Sequence, residues 1–214
     1  MKEIKIGLIG FGVVGEGVYQ VVSQSPSLRA TIQKIAIKQT YKVRNAPAHL
    51  FTNNVHDVLD DENIDIIVEL IDDAEAAYTY VTKAILNGKH VVSANKKMIA
   101  NHLPELKELQ HQHGVSFLYE ASVAGSIPII RNLEEYYDND FLHAFTGIIN
   151  GSTNFILTRM NENKISYEEA LTLAQHEGFA ESNPALDVKG IDACNKLCIL
   201  LQHTFGLYAK PNEL

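Results

Sequence analysis

The sequence predicts an α/β fold: a doubly wound parallel sheet over residues 1–125, followed over residues 126–214 by an incomplete α+β unit. Three observations carry this. Short apolar runs alternate with amphipathic stretches from the N-terminus to about residue 120. Runs such as IDIIVELI at 64–71 are apolar on both alternating faces, as a parallel strand covered by helices on each side must be. Beyond Glu120 the rhythm stops and helical spacing takes over.

Taken in order, the apolar run 4–9 reads as a first strand, and the amphipathic stretch 13–23 as the helix that follows it. Further strands are expected at 34–37, 64–71, 90–93 and 115–118. In the second unit the spacing predicts a helix over 127–137, a strand over 141–149 and three more helical stretches. The segment SYEEALTLAQHEG has Ser166 as N-cap and Gly178 as stop, so its helix is punctuated at both ends. A single strand cannot make a sheet, so the one at 141–149 requires partners from another chain or from further sequence.

Composition narrows the class. Apolar residues at 46% and charged residues at 21% describe a chain that buries a core, which excludes disordered and fibrous classes. A net charge of -8 with both signs interspersed leaves no basic footprint for phosphates, so nucleic acid is not an expected partner. No stretch approaches the roughly 18 apolar residues of a membrane helix, and the start MKEIKIGLIG runs into a glycine loop without a cleavage site. The only cysteines, Cys194 and Cys198, share a helical face and read as small buried side chains, which suits a reducing, cytoplasmic setting.

The first strand leads into Gly10-Phe11-Gly12-Val13-Val14-Gly15, a G-x-G-x-x-G loop that opens a helix. Gly10 permits the tight turn, Gly12 lets the backbone approach a pyrophosphate, and Gly15 allows the helix to pack closely on the strand. The helix N-terminus supplies oriented N–H donors for the anion. Strand, glycine loop and helix in that order predict a Rossmann-type dinucleotide site. No carboxylate closes the second strand to take a ribose 2′-hydroxyl; Lys38, Lys42 and Arg44 follow it instead. Three cations favour a 2′-phosphate, so NADP is the expected cofactor, with NAD left open.

In open α/β sheets, ligands sit beyond the carboxyl ends of the strands. Ser93, Asn95 and Lys96 stand there after the 90–93 strand and are placed with the cofactor, Lys96 as an ammonium beside the substrate. Downstream, Asp192 and Lys196 are four apart and share one face of a largely apolar helix, where a charged pair is costly and therefore suggestive. Glu181 and Asp187 precede that helix in an irregular loop, so the acids and the lysine outline a polar pocket. His111 and His113 on an exposed helix read as surface residues.

Five motifs in order now resemble one family, homoserine dehydrogenase: GFGVVG at 10–15, SANKK at 93–97, YEASVAGSIPII at 119–130, GIINGSTNFILTRM at 147–160 and GFAESNPALDVKGIDACNKLCIL at 178–200. The resemblance implies NADP- or NAD-dependent interconversion of aspartate 4-semialdehyde and homoserine, on the aspartate-derived route to threonine and methionine. It makes Lys96 and Lys196 the lysines near the reacting oxygen, with Asp192 orienting the substrate and Glu181 receiving its ammonium. Proton transfer falls to Lys196 and electrostatic support to Lys96. The family also holds a monovalent cation, usually sodium, which nominates the Glu120 side chain and the carbonyls of Val123, Gly125 and Ile127. Asp72 and Asp73 stand where the family commonly has glycines, Ser126 where it has glycine and Asn183 where it has aspartate. Family members run on with further strands, and their dimers form through the second domain, so the chain reads as the N-terminal part of a homodimeric enzyme. Competing readings are a nucleotide-binding remnant without turnover and another Rossmann-fold small-molecule dehydrogenase.

Overall fold

The computed structural model describes residues 3–39, 42–139 and 141–214. They form two compact units, Met1–Tyr119 and Glu120–Leu214. The first is built on six parallel strands, β1 (Ile4–Ile9), β2 (Ala30–Ala36), β3 (Phe51–Thr52), β4 (Ile66–Glu69), β5 (His90–Ser93) and β6 (Phe117–Leu118), in the order β3-β2-β1-β4-β5-β6. The strand order reverses between β1 and β4, which opens a crevice at the carboxyl edge of the sheet. Ala36, Ile9, Glu69 and Ser93 lie in one register row along that edge.

Helices α1 (Val13–Gln24), α2 (His56–Leu59), α3 (Ala74–Leu86) and α4 (Lys96–His113) complete this unit. Leu8, Ile35, Ile67 and Val91 are fully buried in the sheet, and Ile85, Met98, Ile99 and Leu106 of α3 and α4 are buried with them. Each such side chain contributes roughly 1.5–3 kcal/mol by leaving water. Asp73 and Asn95 cap α3 and α4 through Ala76 N–H and Met98 N–H. Both caps lie at the carboxyl edge, so each helix starts where a ligand would sit.

The described part of the second unit is helical: α5 (Ala121–Ala124), α6 (Ile129–Glu135), α7 (Gly151–Asn163), α8 (Tyr167–His176), α9 (Ala185–Val188) and α10 (Ile191–Phe205). Residues 120–125 go with this unit, because Glu120 caps α6 and α5 packs on α6 and α10. Ser166 is the N-cap of α8, as expected, and forms a capping box with Glu169; Gly178 stands past the end of the helix at φ +80°.

The strand expected over 141–149 is coil. A strand needs a neighbouring backbone to bond, and no described segment of this unit offers one. The carbonyls of Ile148 and Ile149 accept from side chains instead, those of Asn154 and Lys196. Among the described residues no helix is long and apolar enough to cross a membrane.

Candidate functional site

The first unit carries a cleft of about 1140 Å³ at the carboxyl edge, lined by residues 9–16 together with the ends of β2 and β4. Its glycines differ in what they do. A Cβ on Gly10, at φ +101°, would lie 2.7 Å from the Leu70 carbonyl oxygen, and one on Gly15 would lie 2.7 Å from the Gly10 carbonyl oxygen. Both positions exclude a side chain for packing reasons. Gly12 is different: it is the N-cap of α1, exposed, with nothing within 4 Å of where a Cβ would stand. Its bareness keeps the approach to the first N–H groups of α1 open. Val13 and Val14 flank that approach and are largely exposed, whereas Phe11, also in the cleft lining, packs edge-on against Tyr19 and Phe51.

Lys38, Lys42 and Arg44 all line this cleft. Arg44 donates to the Lys42 carbonyl at 2.9 Å and lies over the Phe51 ring at 5.6 Å, so its guanidinium is oriented from two sides. Asp72 and Asp73 line the cleft opposite the cations, and Lys38 Nζ is 3.9 Å from Asp73 Oδ2. Asp73 also caps α3, which gives this acid a structural task.

Ser93, Asn95 and Lys96 do not line the cleft. Ser93 and Asn95 are buried one strand further along, in a network that sequence reasoning missed. Glu69, fully buried at the end of β4, accepts from the Ser93 hydroxyl at 2.5 Å and from Ile71 N–H at 2.8 Å. Asn95 N–H donates to Ser93 Oγ, and the Asn95 side chain donates to the Ile71 carbonyl. Thus the loops after β4 and β5 are tied together through one carboxyl group. Burial pushes the Glu69 carboxyl above its ordinary range, opposed by the bonds from Ser93 and Ile71. The available signal was a carboxylate inside an otherwise apolar run. Lys96 is the first residue of α4 and half-buried.

In the second unit, Asp192 and Lys196 form an ion pair of 2.7 Å on α10, with side chains only 12% and 13% exposed. Lys196 Nζ also donates to the Ile149 carbonyl at 2.9 Å. Asn150 donates through one amide nitrogen to Asp187 Oδ1 at 2.7 Å and to Asp192 Oδ2 at 3.1 Å. Ser152 Oγ lies 2.7 Å from Asp187 Oδ2 and 2.6 Å from the Phe179 carbonyl, its one proton serving both. Three of the nominated residues are therefore brought together, with Asn150 and Ser152 added. The signal for these two was the N-cap pattern Asn-Gly-Ser-Thr before a helical run. Glu181 is exposed on the adjoining loop, held by Gln175 through its backbone carbonyl. Two carboxylates around one ammonium leave a net negative charge, which suits a cationic amino group.

Glu120 uses both carboxylate oxygens to accept N–H groups of α6, from Ile130 at 2.9 Å and Arg131 at 3.0 Å. The Ile127 carbonyl accepts from Ile129 N–H. Two of the four nominated cation ligands thus already serve backbone donors, each oxygen keeping a lone pair beyond that bond. No cluster of three or more His, Cys, Asp or Glu able to hold a metal occurs among the described residues.

Comparison with known proteins covers both units. Residues 10–120 match the family model "Homoserine dehydrogenase, NAD binding domain", and residues 128–214 match "Homoserine dehydrogenase". The homoserine dehydrogenase of Bacillus subtilis is 40% identical over 97% of this chain and 50% of its own length. That of Lactococcus lactis is 38% identical over 99% of the chain and 52% of its own length. The crystal structure of a homoserine dehydrogenase from Thiobacillus denitrificans superposes with a TM-score of 0.86 at 38% identity, covering 98% of this chain and 50% of that one. The chain spans about half the length of the curated relatives it matches. Because the family models match residues of both units, and a relative 40% identical is matched over 97% of the chain, the chain belongs to the homoserine dehydrogenase family.

Proposed function

We propose that the protein containing this chain is an NADP- or NAD-dependent homoserine dehydrogenase, interconverting L-aspartate 4-semialdehyde and L-homoserine. The observation that carries the proposal is the Asp187–Asn150–Asp192–Lys196 network in one unit, in a chain whose other unit presents a bare helix N-terminus in a glycine cleft.

Residues 10–15 would hold the pyrophosphate of the cofactor, and Lys38, Lys42 and Arg44 its 2′-phosphate, which favours NADP. When bound, a nicotinamide supplies or accepts the hydride. The chain's own residues manage charge and protons. As the aldehyde carbon gains hydride, negative charge grows on the carbonyl oxygen, and the Lys196 ammonium gives that oxygen a proton. An ammonium has three donors; Asp192 and the Ile149 carbonyl take two in this structure, and the third is assigned to the reacting oxygen. In the reverse direction the amine takes the proton back. Lys96 is assigned electrostatic support, Asp192 the orientation of Lys196 and substrate, and Glu181 and Asp187 the binding of substrate, Glu181 receiving its ammonium group.

This reading makes residues 1–119 the cofactor domain and residues 120–214 part of a substrate and dimerisation domain, in a cytoplasmic homodimer. A monovalent cation enters only through the family, and no step depends on it. The test is nicotinamide absorbance with homoserine, comparing NADP with NAD and this chain with a form extended to the length of its relatives. Turnover by either form supports the reading; none in either form overturns it.

A further inference from the structure

We propose that Asn150 is the positioning residue for the proton-transfer lysine: its side-chain amide sets the placement of Asp187 and Asp192, and through Asp192 that of Lys196. The functional consequence rests on the dehydrogenase reading above, whereas the geometry stands without it.

The orientation of the amide is determined by its other end. Asn150 Oδ1 accepts Thr153 N–H at 2.8 Å as the N-cap of α7, so the nitrogen must face the opposite way. That nitrogen carries two protons, and a carboxylate stands within hydrogen-bonding distance for each. Asn150 is 7% exposed, so water has little access to replace either bond.

Local geometry does not hold the two acids together. Asp187 lies in α9 and Asp192 in α10, separated by Gly190 at φ +74°, which ends one helical path and starts another. Two like charges in a half-buried site repel unless a donor lies between them. Asn150, from a third element, is that donor. The residue before it completes the arrangement, because the Ile149 carbonyl holds Lys196 at 2.9 Å. One dipeptide therefore grips both members of the ion pair, the acid through a side chain and the amine through the main chain.

The competing role for Asn150 is a helix cap and nothing more. Serine and aspartate cap helices about as well as asparagine, so a mere cap tolerates either. Neither can replace the amide. A serine hydroxyl has one proton to offer, and an aspartate has none and adds a third negative charge.

The test compares wild type with Asn150→Ser and Asn150→Asp. Lys196 acetylation is read by peptide mass spectrometry after a short pulse of acetic anhydride, well below the melting temperature of each variant. Kinetics with homoserine are measured in whichever form turns over. The positioning role predicts faster acetylation of Lys196 in Asn150→Ser, and kcat lowered by roughly tenfold in Asn150→Ser and further in Asn150→Asp. KM for the cofactor should not move. Wild-type acetylation and wild-type kcat in both variants would overturn it. If wild type itself oxidises no homoserine with either cofactor, the dehydrogenase reading fails, and the acetylation rates alone decide the role of Asn150.

Discussion

Glu69 Oε2 accepts the hydroxyl of Ser93 at 2.5 Å, between two residues paired in register on neighbouring strands at the carboxyl edge of the sheet. Glu69 is fully buried, and its other oxygen holds Ile71 N–H. The bond makes the loops after β4 and β5 one unit, and both loops border the places where α3 and α4 begin.

Glu69→Leu should therefore cost roughly 2–4 kcal/mol in denaturant unfolding, because it leaves a buried hydroxyl and a half-buried N–H without their acceptor. Glu69→Gln keeps an acceptor for Ile71 and should cost far less. The pH dependence has a definite sign. Burial raises the folded-state value of this carboxyl above the ordinary 4.5, so the folded state binds more protons than the unfolded one just above that pH. Its contribution to stability is complete below 4.5 and is lost as pH rises through the raised value. Glu69→Gln should accordingly gain on wild type across that window; a constant difference would contradict the assignment.

Two of the three loop glycines should separate in experiment. Gly15→Ala drives a Cβ to 2.7 Å from the Gly10 carbonyl oxygen and should destabilise the first unit by about 1–3 kcal/mol. Gly12→Ala meets open space, at φ -88° and ψ -157°, and should leave the melting temperature close to wild type. Its effect should fall on cofactor affinity, read by NADPH fluorescence titration. Equal melting losses in both variants would remove the distinction.

If Arg44 and Lys42 bind the 2′-phosphate, Arg44→Ala should weaken NADP by roughly tenfold or more, the worth of a charge-assisted hydrogen bond. NAD affinity should stay nearly constant. Added salt should weaken NADP binding more steeply than NAD binding in wild type, and the variant should lose that difference. Parallel losses for the two cofactors would return these cations to the solvent.

Lys196→Met keeps the aliphatic length of the side chain and removes its proton. Turnover should fall by about 10²–10⁴ on loss of a positioned acid, with cofactor affinity unchanged. Asp192, then buried beside Asp187 without its cation, should also lower the melting temperature. Retained turnover would reassign the proton.

The parts of the fold legible in the sequence are those determined locally. The run from Ile4 to Ile9 ends at a glycine loop, and the structure ends β1 at Ile9. Ser166 and Glu169 sit at capping-box spacing, and α8 starts at Tyr167. Asp192 and Lys196 are four apart on a helix, and the structure pairs them. What was not legible depends on partners distant in the chain. β3 has two residues, too few for any periodic signal, and exists because β2 pairs with it. The apolar stretch 141–149 has strand composition but no described partner, so its carbonyls serve side chains. Asn150 reads locally as a helix cap; its bonds to Asp187 and Asp192 span 37 and 42 positions, and no local pattern encodes them.

Lys196, paired with Asp192 at 2.7 Å, is the proposed proton donor, and the reading depends on it most. The most direct measurement is chemical rescue: homoserine oxidation by Lys196→Ala, in the form that turns over, with and without an added small primary amine. Turnover lost in Lys196→Ala and restored in part by the amine is the expected result. Full turnover in Lys196→Ala without amine would contradict it.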